Sequence, residues 1–259
     1  MNWLAFLLVV AVTATRNTSA RIILPKISGG TDLPQGQLPY MVSIQYANPL
    51  NNSSREHICG ATIVNENWAL TAAGCIIGPS FIDTHAIFSG SVDLQTGGRE
   101  HRLTQADVHE NYSFFPQIQN DIAVIRVDPP FDFSLPTEES QVPLPPVGFD
   151  ALEGATAFVF GWGQPTPNLA NMQLLQIAEI TVISDETCSG VQNSPATEMC
   201  AGTAEGNTGT CYGDNGGPLV VDAVQAGIVS WSVACGTTQP SVFTQVSAYL
   251  DWISEHTAN

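Results

Sequence analysis

Apolar and polar residues alternate in short runs along most of this chain, and glycine, proline and asparagine bound the runs. Tyr40-Met41-Val42-Ser43-Ile44-Gln45-Tyr46 alternates and predicts a strand. Residues 57–64 and Trp68-Ala69-Leu70 predict two more, joined by a tight connection. Residues 121–127 are mostly apolar and predict the strand that closes the first half. In the second half, strands are expected over 155–160 and near 173–183, 197–201, 218–221, 225–232 and 241–246. The tail 247–256 alone sets its apolar residues at helical spacing. Between the halves, about 128–147 is proline-rich, acidic at Glu138 and Glu139 and without apolar period, which predicts an exposed linker. Many short strands in two sets with one late helix predict an all-β protein of two packed antiparallel barrels. The first spans about 27–130, the second about 148–246, and the helix about 247–257.

The beginning of the chain reads differently. An apolar run from Trp3 to Val12, with small residues at Ala14 and Ala20, marks 1–20 as a secretory signal peptide. That run is too short to span a bilayer and no other is longer, so no membrane partner is expected.

Charge narrows the partners further. The 24 acidic residues face seven basic ones, a formal net charge of −17. Lys26 is the only lysine, and beyond it Arg55, Arg99, Arg102 and Arg126 alone oppose all 24 acids. Such a surface repels nucleic acid and anionic lipid. It serves solubility, and it also suits a digestive lumen rich in trypsin-like enzymes, alkaline as in an insect gut. Few basic residues leave few tryptic sites, and carboxylates stay ionised at a pH near ~10.4, where lysine discharges. Six cysteines without a Cys-x-x-Cys pair fit an oxidising, extracellular setting, and sequence alone allows ~15 pairings of them. Asn51, Asn52 and Asn111 head N-glycosylation sequons. No two histidines have metal-ligand spacing on a helix, so no metal or cofactor is implied. His57 stands two residues before Cys59 and reads as structural, while His85, His101, His109 and His256 read as surface or strand residues.

The chemistry concentrates in Gly209-Thr210-Cys211-Tyr212-Gly213-Asp214-Asn215-Gly216-Gly217-Pro218-Leu219, a glycine-dense turn before an apolar strand. It resembles the active-site loop of the chymotrypsin-like (trypsin-like, peptidase S1) serine proteases, which reads Gly-Asp-Ser-Gly-Gly-Pro. Asn120-Asp121-Ile122-Ala123, Gly161-Trp162-Gly163, Ser230-Trp231 and Thr71-Ala72-Ala73-Gly74-Cys75 carry the same resemblance, which covers nearly everything from Ile27 onward. It implies the two six-stranded barrels of that fold with a C-terminal helix. It also implies a catalytic aspartate at Asp121, while Gly74 stands where the family has its histidine and Asn215 where it has its serine. An amide is no nucleophile and glycine carries no base, so the resemblance implies a catalytically inactive homologue, a pseudoprotease. Asp121 is then left with nothing to orient. The backbone N–H groups of Gly213 and Asn215 would be the oxyanion donors.

Further assignments follow from the resemblance alone. It pairs Cys59 with Cys75, Cys188 with Cys200, and Cys211 with Cys235. Residues 21–26 become a short propeptide cut after Lys26, freeing the ammonium of Ile27 to pair with Asp214, as in a zymogen. Gly209 would floor the primary pocket between Ser232 and Ser241, and the absent carboxylate there favours an apolar or small side chain. Ser230-Trp231-Ser232 would pair with an extended peptide as an edge strand. Expected partners are peptides, protease inhibitors or active proteases. The alternatives are a cofactor in a proteolytic or immune cascade, and a serine-type endopeptidase with residual or altered activity.

Overall fold

The computed structural model describes residues 29–47, 55–191 and 196–258. The signal-peptide and propeptide readings, including Lys26 and Ile27, and the sequons at Asn51 and Asn52 lie outside these residues. In chain order the elements are β1 (Thr31–Asp32), β2 (Met41–Ala47), β3 (Arg55–Asn65), β4 (Trp68–Thr71), α1 (Phe81–Thr84), β5 (His85–Ser89), β6 (Arg99–Val108) and β7 (Ala123–Asp128). The second half adds β8 (Thr156–Gly161), β9 (Gln176–Ile183), α2 (Asp185–Cys188), β10 (Glu198–Gly202), β11 (Pro218–Val221), β12 (Val224–Ser232), β13 (Ser241–Gln245) and α3 (Leu250–His256).

Strands β2-β3-β4-β7-β6-β5 close into one antiparallel barrel. Strands β8-β9-β10-β13-β12-β11 close into a second through the β8–β9 pairing, and the short β1 adds to the outer side of β9. Closure leaves each barrel without a free sheet edge. The fold is therefore the two-barrel, chymotrypsin-like one expected from the pattern. All four arginines of the described chain fall in strands of the first barrel: Arg55 in β3, Arg99 and Arg102 in β6, Arg126 in β7.

Inward residues of each barrel form its own core. Val42, Ile44, Ile63, Leu70, Ile87 and Ile125 fill the first, and Val159, Ile180, Leu219, Val229 and Phe243 the second. Val246, Tyr249 and Ile253 join the first core, so the roughly two turns of α3, preceded by a 3-10 turn over Val246–Tyr249, reach back across the molecule. The strands β5 and β6 do not stand out in the sequence. In β6 the inward positions are His101 and Leu103, and a fully buried histidine breaks the apolar alternation.

His101, read as a surface or strand residue, is a strand residue of β6 and is completely buried, tilted against Phe131 at 4.6 Å between centroids, with Nδ1 2.6 Å from the Pro129 carbonyl. The expected exposed linker also turns inward, burying Phe131, Glu139 and Val142. Glu139 accepts from the Ser89 hydroxyl at 2.5 Å and from the Asp132 N–H, with Arg99 at 3.5 Å and His101 at 3.3 Å. Desolvation alone would raise its pKa, but the hydrogen bonds from His101, Ser89 and the Asp132 N–H outweigh it and hold the carboxyl down at about 2.

The cysteines pair as the resemblance implies, 59 with 75, 188 with 200, and 211 with 235. Loops of 12 to 24 residues are closed, each contributing about 3 kcal/mol against the unfolded chain. No helix among the described residues is long and apolar enough to cross a membrane.

Candidate functional site

The barrels meet where short residues let two backbones touch. Gly216 has φ +78, and a Cβ there would lie 2.2 Å from the Thr71 hydroxyl and 2.3 Å from the Gly60 carbonyl, so only glycine fits. The Gly60 N–H donates to the Asn215 carbonyl at 2.8 Å, and the Thr71 hydroxyl donates to the Gly60 carbonyl at 2.8 Å. The bond to Asn215 and the close approach of Gly216 lay the 209–219 loop of the second barrel against β3 and β4 of the first, whose own strands the Thr71–Gly60 bond ties together. The disulfide Cys59–Cys75 fixes the neighbouring turn that carries Gly74. Gly74, Asp121, Asn215 and Ser230 are thereby brought into one cluster at the seam.

Asp121 is its centre. It precedes β7 and is 5% exposed. Oδ1 accepts from the Gly74 N–H at 2.8 Å, and Oδ2 accepts from the Ser230 hydroxyl at 2.5 Å. The Thr244 hydroxyl donates to its carbonyl at 2.8 Å. Desolvation raises its pKa despite the Ser230, Gly74 and Ala73 bonds, and no cation enters the balance. Gly74 itself is exposed, with an ordinary backbone conformation. A Cβ on it would lie 3.3 Å from the Tyr112 hydroxyl and 3.6 and 3.9 Å from the two Asp121 oxygens. Tyr112 is thus a site residue that sequence reasoning missed, visible beforehand only as the middle of a sequon. Its pKa rises to about 12, mainly from burial and then from the Asp121 charge.

Asn215 is turned toward Ser230. Its side-chain amide donates to the Ser230 carbonyl in a short hydrogen bond. The β12–β13 ladder breaks register between Val229 and Trp231, and the carbonyl left over at that bulge is the one the amide takes. Removing the amide strands an acceptor on a residue only 4% exposed. Asn215→Ala is therefore expected to lower stability by ~1–2 kcal/mol, read as a lower urea midpoint at unchanged slope.

Gly213 has φ +94, and among the described residues nothing accepts the Gly213 or Asn215 N–H. Between them Asp214 points the other way and is fully buried, taking the Gly163 N–H at 2.8 Å and the Cys211 N–H at 2.9 Å. Desolvation pushes it up to about 7 against those two bonds. A Cβ on Gly163 would sit 2.5 Å from that carboxylate, which explains the second glycine of Gly-Trp-Gly. His57 supports the same turn. Its Nε2 lies 2.8 Å from the Gly213 carbonyl and its Nδ1 2.8 Å from the Ser43 hydroxyl, itself 3.2 Å from Gln45 Nε2. A neutral ring, receiving from Ser43 and donating to Gly213, satisfies this chain, and burial lowers its pKa to about 4.

A cavity of about 230 Å³ opens beside Asn215, walled by Thr210, Tyr212, Val229, Trp231, Ser232 and the Cys211–Cys235 disulfide. Ser230, Gly209 and Ser241 are not on its wall. Ser241 and Thr210 are buried and share a 2.7 Å hydroxyl bond, and Ser241 is the nearest side chain to a Cβ on Gly209. No carboxylate lines the cavity, and Tyr212 and Val233 leave apolar surface at its mouth. Among the described residues no three acidic, histidine or cysteine side chains gather as a metal site.

Two six-stranded barrels meeting at a buried aspartate, beside a side-chain pocket and a turn of free N–H groups, define a protein of the chymotrypsin-fold class. The family model "Trypsin" matches residues 27–253. Trypsin-1 of Astacus astacus is 33% identical over 240 residues, covering 88% of this chain and 98% of that protein. Chymotrypsin-2 of Vespa crabro is 34% identical over 234 residues, covering 89% and 99%. The chain belongs to the trypsin family of serine proteases.

Proposed function

We propose that this family member is a secreted, catalytically inert homologue that binds peptides or protease inhibitors and does not cut them. The observation that carries the reading is what Asp121 and Asn215 touch. The carboxylate meets the backbone of Gly74 where a base would be oriented, and the Asn215 amide is spent on a carbonyl of its own chain. In the serine protease template a hydroxyl attacks while an imidazole takes its proton; here position 215 carries an amide, the Ser230 hydroxyl donates to Asp121, and no imidazole joins the cluster. Loss of such a pair costs about 10⁶ in turnover, or ~8 kcal/mol of transition-state stabilisation. The free Gly213 and Asn215 N–H groups support a retained oxyanion site, which alone leaves ~10³ to 10⁴ over water, too little for a peptide bond.

The apolar pocket supports binding of a ligand that inserts one uncharged side chain. The three disulfides, together with the apolar leader at 1–20, support secretion. The expected result is no labelling of the purified protein by a fluorophosphonate probe, alongside micromolar or tighter binding of a chymotrypsin-type inhibitor. Labelling would overturn inertness, and absence of binding would overturn the inhibitor-capture role.

A second reading is favoured by the names of the relatives, a trypsin and a chymotrypsin. It makes the chain an endopeptidase with altered chemistry. Turnover of a peptide amide with an apolar residue before the scissile bond, abolished by Asp121→Ala, would establish it.

A further inference from the structure

We propose that the hollow over Gly74 is a ligand site for an imidazole ring, presented by a histidine of the bound peptide or protein. The inference rests on the binding reading above and names the chemistry of its ligand. The floor of the hollow is a carboxylate with both oxygens on the near side, 3.6 and 3.9 Å from where a Cβ on Gly74 would stand. Gly74 is exposed, so the hollow opens to solvent, while Asp121 beneath it is 5% exposed. The Gly74 and Ala73 N–H groups and the Ser230 hydroxyl donate to the Asp121 carboxylate, whose two oxygens offer about four acceptor sites, so room for a further donor remains.

No described lysine, arginine or histidine balances this charge, and a buried charge without a counter-ion is costly. A compact N–H donor arriving from solvent relieves that cost through a charge-assisted bond. Imidazole suits the place because it is flat enough to rest on a glycine and carries one N–H to aim at the carboxylate. Tyr112, whose hydroxyl lies 3.3 Å from the Cβ position, forms the side wall and offers its oxygen to the ring edge. The protein's net charge of −17 adds a long-range pull on the protonated ring. The side-chain pocket lies next door, since Ser230, bonded to Asp121, adjoins Trp231 on the pocket wall. One extended ligand can fill both.

The test is thermal unfolding of the full chain with imidazole, against ammonium chloride at equal ionic strength. Imidazole is expected to bind with a millimolar Kd and to raise Tm by ~3 °C at tenfold over that Kd. Asp121→Asn keeps the shape and should weaken the effect at least ~10-fold, the charge-assisted partner being lost. Gly74→His fills the hollow from within and should abolish the effect in a folded protein. No saturable shift in the wild-type chain, or an equal shift in both variants, overturns the proposal.

A second arm identifies the source of the ring. Acetyl-Ala-His-Phe-amide binding ~10-fold more tightly than acetyl-Ala-Ala-Phe-amide assigns it to a side chain of a bound chain. Equal binding overturns that assignment and leaves a site for free imidazole compounds. Inhibitor binding measured on the same samples separates the readings. Its loss with imidazole protection intact sinks inhibitor capture, and the reverse outcome sinks this proposal.

Discussion

The double variant Gly74→His with Asn215→Ser is expected to hydrolyse a chromogenic peptide with an apolar residue before the scissile bond at least ~10³-fold faster than the wild-type chain. Either single variant should stay at the wild-type level, because nucleophile and base act as a unit and losing one costs about as much as losing both. The prediction follows from how much of the apparatus is in place. Asp121 is already held by the Gly74 N–H and the Ser230 hydroxyl, so a new imidazole meets a preset partner. Among the described residues nothing accepts from the Gly213 and Asn215 N–H groups. Gly74 has ordinary backbone angles, so histidine adopts them without strain. Tyr112 is the obstacle: its hydroxyl at 3.3 Å from the Cβ position must give by a few tenths of an ångström. Adding Tyr112→Phe should therefore raise the double variant's rate further. A double variant that folds, binds inhibitor and turns nothing over would mean the cleft is misaligned beyond its two substitutions.

The second large effect is a hidden pH dependence. Asp214 has its folded pKa pushed up to about 7, whereas an unfolded aspartate titrates near ~3.9. Below both values the two states carry the proton alike. As pH rises from ~4 to ~7 only the unfolded chain ionises, so stability falls over that window by up to ~4 kcal/mol. His57 runs the other way. Its folded pKa is lowered to about 4 while the unfolded ring titrates near ~6.5, so its contribution is full above ~6.5 and is lost toward ~4, by ~3 kcal/mol. The slopes oppose each other between ~4 and ~6.5, and that pair of groups nearly cancels there.

Urea unfolding at a series of pH values separates them. Asp214→Asn should make stability rise with pH through this window, and His57→Gln should make it fall. Parallel profiles for all three proteins would rule out the opposing pair. A chain cut after Lys26 that delivers its ammonium to Asp214 should behave like Asp214→Asn, so the same curves report on activation.

The barrels were legible in the sequence because most of their strands carry β-branched and apolar residues at inward positions, as in 123–127, 156–160 and 241–245. β6 was not, because His101 takes an inward place and is satisfied by Ser89, Glu139 and the Pro129 carbonyl, contacts that close only in three dimensions. Glu139 escaped for the same reason, since in sequence it is one more acid in a proline-rich stretch. At the site, motif resemblance located Asp121, Gly74 and Asn215, and the structure gathers them. The Asn215 bond to the Ser230 carbonyl was invisible, because it depends on a bulge in β12 that no local pattern announces. Tyr112 was hidden likewise, 38 residues from Gly74 along the chain and adjacent to it only once the first barrel has closed.

The placement of the four arginines in β3, β6 and β7 bears on how this molecule would be degraded. A trypsin needs its target residue on a segment that can be drawn out straight, and strands locked into a closed ring cannot be drawn out while the ring holds. Digestion would therefore wait for the first barrel to open. Everything after Arg126 lacks a cleavable basic residue, so the second barrel would leave the protease as one uncut piece. In a mass spectrum that single heavy fragment, beginning at Val127, would be the signature of the chain.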